Sequence, residues 1–142
     1  MLQNRSMLTS VVIPQLAYGE VAPAAAWLCR AFGFRERLRI GTHRVQLTFP
    51  GGGSLVVTEG GSAATAGAAG YASHRVMVRV ADIDSHYHHA AAHGAKILSA
   101  PRDYPYGERQ YSALDPGGHR WDFSQTLADV DPSEWGGELL ER

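Results

Sequence analysis

Tyr106 to Gln125 reads YGERQYSALDPGGHRWDFSQ, and the reversal at its centre decides how the chain folds. Asp115-Pro116-Gly117-Gly118 places a proline, with φ held at about −65°, ahead of glycines that accept positive φ. This is the chemistry of a tight turn between two strands. Side chains alternate across a strand, so Trp121 and Phe123 share one face beyond the turn, and Arg120, Asp122 and Ser124 share the other. One face is apolar and the other polar. Asp122 therefore meets water, holds a metal, or holds a partner charge.

Length and composition limit the surroundings. A chain of 142 residues with ordinary apolar and charged fractions makes one domain, or two small halves sharing a core. A formal net charge of −1, with no stripe of Lys and Arg, gives no field for nucleic acid or an anionic membrane. The opening MLQNRSMLTS lacks the apolar core of a signal peptide, and no run reaches the ~20 apolar residues of a membrane helix. A soluble, cytoplasmic protein is expected, with Met1 and Met7 both candidate starts. Cys29 has no second cysteine to pair with and sits in an apolar helical stretch, which predicts a buried structural thiol.

Walking outward from the hairpin, one pattern occurs twice. SVVIPQLAY alternates like a strand; the stretch after it carries Val21, Ala25, Leu28 and Phe32 on one helical face, with Pro23 in its first turn and Gly33 at its end. RERLRIG, HRVQLTF and SLVVTE are three β-prone runs broken by Gly41 and by Pro50-Gly51-Gly52-Gly53. HRVMVRVAD is again a strand, and DIDSHYHHAAAHGA a helix, with Asp82 or Asp84 as N-cap and Gly94 past its end. The expected architecture is α+β: a first βαβββ module over 8–59, a flexible Gly/Ala linker over 60–73, a second module over 74–125, and a tail over 126–142, together one domain. The histidines His86, His89 and His93 form a stripe on the second helix, read as a solvated flank.

Paired βαβββ modules, with Val80-Ala81-Asp82 leading into a helix and Asp115-Pro116 and Gly118-His119 leading to Trp121, resemble the vicinal oxygen chelate superfamily. That superfamily includes glyoxalases, extradiol dioxygenases and bleomycin-resistance proteins. The trailing ADVDPSEWGG is similar to its glyoxalase-like or PhnB-like subgroup. The resemblance implies curved mixed sheets forming a cup with helices outside, a small-molecule ligand in that cup, and a homodimer.

It also implies where a metal would sit. The four ligand places fall on Ile13, Val57, Arg75 and Asp122, of which only Asp122 is a ligand type. A catalytic divalent metal needs about three protein donors, and a guanidinium stays cationic and repels it. No cofactor is therefore expected. His74 lies one residue out of register; Glu59, about 7 Å beyond Val57, could join Asp122 and Gln15 around a hard cation.

The preferred expectation is an Arg75–Asp122 ion pair on a metal-free floor. Gln15, Arg75, Met77 and Arg79 would face the ligand, Tyr104, Tyr106, Arg109 and Tyr111 would form a wall, and Trp135 a lid. The expected ligand is anionic or aromatic. The alternatives are a metal-free enzyme with Asp122 or Glu59 as general base, and a metal-dependent lyase or dioxygenase.

Overall fold

The computed structural model describes residues 2–60 and 74–140. Apart from Gly60, the expected linker lies outside them. Internal packing divides the chain into two compact units, Met1–Ser73 with Asp115–His119, and His74–Leu114 with Arg120–Arg142.

The first unit runs β1 (Gln15–Tyr18), α1 (Val21–Phe32), β2 (Arg35–Ile40), β3 (Arg44–Thr48) and β4 (Ser54–Glu59). The second runs β5 (Val76–Arg79), α2 (Ile83–Ala92), β6 (Lys96–Tyr104), β7 (Glu108–Leu114) and β8 (Arg120–Thr126). Each forms a four-stranded sheet, in the orders β1-β4-β3-β2 and β5-β8-β7-β6. The first strand of each is parallel to the last and the other pairings are antiparallel. The α+β repeat is thus as expected.

The helices form where the spacing placed them. Ala25, Leu28 and Phe32 are almost wholly buried, and Gly33 ends α1 at φ 94°, a left-handed conformation that glycine adopts without a Cβ clash. Asp82 caps α2 by accepting from the Ser85 N–H at 3.1 Å. Two local expectations fail. Ser10 to Pro14 is not part of β1: Val11 and Val12 are 82% and 81% exposed, and Pro14, with no N–H to give a ladder, sits just before the strand begins. Cys29 is only half-buried, its thiol pushed up by burial and by the Glu36 carboxylate.

Register fixes which side chains share a face. In the first sheet Leu16, Val57 and Val45 align, all buried on the helix side, whereas Gln15, Val56 and Gln46 align on the opposite side. In the second, Val76, Trp121 and Ala113 align beneath α2, and Met77, Asp122 and Ser112 align opposite. The reversal Asp115–His119 packs within the first unit. Asp115 accepts the N–H groups of Gly117 and His119 on one oxygen and the Tyr18 hydroxyl on the other. The His119 ring lies edge-on to Tyr18 at 4.7 Å.

Burial, then the Asp115 carboxylate, pushes the Tyr18 hydroxyl far above its ordinary value of 10.0, and burial does the same to Tyr111. In the unfolded chain both ionise near pH 10, so the fold, which binds the neutral form, keeps this stability below pH 10 and loses it progressively above. Of the six tyrosines, these two should ionise only as the fold is lost. Tyrosinate absorbance should show a late step that coincides with loss of circular dichroism. Ionisation of all six tyrosines near pH 10 while the circular dichroism is still that of the folded protein would refute the assignment.

Candidate functional site

The helix-free face of the second sheet is an open cleft of about 630 Å³. Alternation along β8 supplies Arg120, Asp122, Ser124 and Thr126; alternation along β7 supplies Glu108, Gln110 and Ser112; β5 adds Arg75, just before it, with Met77 and Arg79. Trp121, Phe123, Tyr111 and Ala113 fill the opposite face and are wholly buried. On the cleft floor Ser112 stands between Tyr111 and Ala113, and Asp122 between Trp121 and Phe123, so the core packing on the other face holds these two in place.

Asp122, 7% exposed, is its most committed group. Its Oδ2 receives Arg75 Nε at 3.0 Å; its Oδ1 accepts from the Ser112 hydroxyl at 2.6 Å and from Arg120 Nε at 3.2 Å. Arg120 Nη2 also donates to Ser112 Oγ at 3.3 Å. Two guanidiniums thus converge on one carboxylate and leave a net positive charge facing the cleft. The expected Arg75–Asp122 pair is present; Arg120, on the same face by alternation, joins it and went unselected in the sequence.

A second chain of hydrogen bonds runs further along the same strands. Tyr106 Oη donates to Gln110 Oε1 at 3.2 Å, Gln110 Nε2 to Ser124 Oγ at 3.0 Å, and Ser124 Oγ to Glu108 Oε1 at 2.6 Å. Arg79 Nη2 donates to Thr126 Oγ1 at 2.7 Å. Glu108 and Gln110 were missed by the sequence reasoning; their signal was the antiparallel register that sets Gln110 beside Ser124 and Glu108 beside Thr126.

Tyr104 and Tyr106 line the cleft, stacked at 5.4 Å, and Trp135 lies against Tyr106 at 5.3 Å. Tyr111 and Arg109 do not line it. Tyr111 stacks on Phe123 at 5.0 Å, and its hydroxyl lies 2.6 Å from His86 Nδ1. Arg109 pairs with Asp84 at 3.0 Å and Asp103 at 2.9 Å. The reason is period: on β7, odd and even residues face opposite sides, so Arg109 and Tyr111 cannot share a face with Gln110. The histidine stripe is corrected by the same contact, since His86 turns inward onto Phe123, at 4.3 Å, while His89 and His93 stay exposed and stack on each other.

Gln15 and Glu59 lie in the first unit on opposite faces of its sheet: Gln15 aligns with Val56, whereas Glu59 aligns with Tyr18 on the side of Leu16 and Val57. Gln15 and Glu59, two members of the expected cation set, therefore do not share a face. The position matching Asp122 in the first sheet is Val56, not Val57. Among the described residues no three His, Cys, Asp or Glu side chains gather as a metal would require. Asp122, flanked by two guanidiniums, is a donor set that repels a divalent cation. No described helix is long and apolar enough to cross a membrane.

Residues 10–123 match the family described as the Glyoxalase/Bleomycin resistance protein/Dioxygenase superfamily. The chain belongs to this superfamily. It is 37% identical to TioX from Micromonospora sp. ML1, whose crystal structure it matches over 86% of its own length and 100% of that chain, with a TM-score of 0.66. TnmS3, an antibiotic binding protein from Streptomyces sp. CB03234, shares the superfamily fold at 19% identity, with 84% and 97% of the two chains covered and a TM-score of 0.64. An uncharacterized protein of Mycobacterium bovis, Mb0911c, is 29% identical over 75 residues, 53% of this chain and 49% of the relative. The superfamily member thus matches about half the length of that relative.

Proposed function

We propose that this superfamily member binds a small, anionic, aromatic molecule in the cleft of its second sheet, without a catalytic metal. The observation that carries the proposal is the convergence of Arg75 and Arg120 on the single carboxylate of Asp122. With Arg79 on the same face and Tyr104 and Tyr106 stacked along one side, the cleft offers charge for an anion and flat surface for a ring. Asp122 has its lone pairs committed to three donors, which favours a positioning role over that of a general base. Pairing of two copies is part of the proposal, and sedimentation equilibrium tests it.

The proposal is tested by calorimetric titration with 1-naphthoate and with its neutral counterpart, 1-naphthamide. Naphthoate should bind, the amide should bind at least about tenfold more weakly, and Arg120→Met should remove most of that difference, since a charge-assisted hydrogen bond contributes about 1.5–3 kcal/mol. Equal binding of the two would overturn the anion preference. Elemental analysis of protein purified without chelator should find no stoichiometric metal. Near-stoichiometric metal that disappears in Asp122→Ala would instead establish a metal-dependent enzyme.

A further inference from the structure

The first sheet also has a helix-free face, and it is not open. Gln46 and Val56 lie on it, each only 3% exposed. What meets Gln46 there is the chain's own beginning. Asn4 closes a turn, its carbonyl accepting the Met7 N–H at 3.0 Å and its side chain accepting the Ser6 N–H at 3.0 Å. In such a turn the carbonyls of the two central residues point outward, and both are taken by side chains of the sheet. Arg37 Nη2 donates to the Arg5 carbonyl at 2.9 Å, and Gln46 Nε2 to the Ser6 carbonyl at 2.9 Å.

The two donors are themselves fixed. Arg37 Nη1 donates to Gln46 Oε1, which orients the amide so that its nitrogen faces Ser6. Arg37 reaches this face because β2 is irregular there: Glu36 pairs with Leu47 and Leu38 with Gln46, so Arg37 is the extra residue of a bulge, a device that re-aims a side chain. Leu8 follows the turn and is 5% exposed, and the hydroxyls of Ser10 and Ser54 meet at 2.8 Å. A buried glutamine in mid-strand is costly unless its amide is satisfied, and here a backbone carbonyl satisfies it.

We infer that the helix-free face of the first sheet is a binding site for a peptide β-turn, read through two adjacent carbonyls, and that residues 4–10 of the same chain occupy it. The ligand class follows from the donors: Arg37 and Gln46 present N–H groups to main-chain carbonyls, and neither depends on the side chains of Arg5 or Ser6. The inference rests on other residues than those of the small-molecule cleft of the second sheet, so the failure of one reading leaves the other standing.

Two measurements decide it. A variant lacking residues 1–10 is titrated with a fluorescein-labelled peptide of residues 2–10, followed by anisotropy. Saturable one-to-one binding, weakened about tenfold or more by Gln46→Leu in the protein, is expected from the loss of one buried hydrogen bond and its partner's desolvation. In the full chain, tryptic cleavage of the Arg5–Ser6 bond should be about tenfold faster in Gln46→Leu than in the unaltered protein, because cleavage follows the released state of the turn. A truncated protein that keeps its circular dichroism yet does not bind the peptide, or binds it regardless of Gln46, overturns the inference. Should the truncated protein fail to fold, equal cleavage rates in the two full-length proteins overturn it alone.

Discussion

Replacing Trp121 with alanine should cost about 4 kcal/mol of stability, the range expected for emptying a wholly buried tryptophan site. For a chain of this size that corresponds to a fall of about 10–15 °C in the melting temperature. Trp121 is in register with Val76 and Ala113 on the face beneath α2, and it lies parallel to Phe123 with ring centroids 6.3 Å apart. Its backbone neighbours are Arg120 and Asp122, so the cavity would open directly behind the polar floor. Urea unfolding should show a lower midpoint with an unchanged slope, and Trp121→Phe should recover a good part of the loss. A cost under about 1 kcal/mol would mean that the second unit is not held by this core.

Asp122→Asn should be the most damaging change on the cleft floor, at about 2 kcal/mol. The carboxylate is 7% exposed and serves three donors; the amide keeps its shape but leaves Arg75 and Arg120 side by side without a counter-charge. The figure stays at the lower end because the Arg75 side chain is 57% exposed and water screens its share. Added sulfate should restore part of the loss in Asp122→Asn and stabilise the unaltered protein less, since the variant releases two guanidiniums that the carboxylate otherwise holds. Thermal melts with and without sulfate check this. Equal stability of the two proteins in low salt would remove the ion-pair network from any role in the fold.

The sequence was legible where local chemistry and period agree. The turn at Asp115-Pro116-Gly117-Gly118, the apolar stripe of α1, the cap at Asp82 and the repeated order of elements follow from residue types at fixed spacings, and the fold follows from them. Alternation along β8 likewise placed Asp122 opposite Trp121. It was equally available on β7, and would have set Arg109 and Tyr111 on the helix side and brought out Glu108, Gln110 and Ser112.

Other features have no local signal. Val56 rather than Val57 faces away from α1 because cross-strand pairing with Gln46 and Gln15 decides it, and a shift of one residue inverts the face. Arg37 meets Gln46 only through a bulge, and the turn at Asn4 rests on a sheet whose strands begin later in the chain. By itself the sequence determined two βαβββ modules and a carboxylate on the polar face of the last strand, because helix and turn propensities act over a few residues. Only the tertiary structure decided that two arginines share this carboxylate, and that the first sheet's free face holds the chain's own turn. Both depend on strand register, which is set by pairing between residues far apart in sequence.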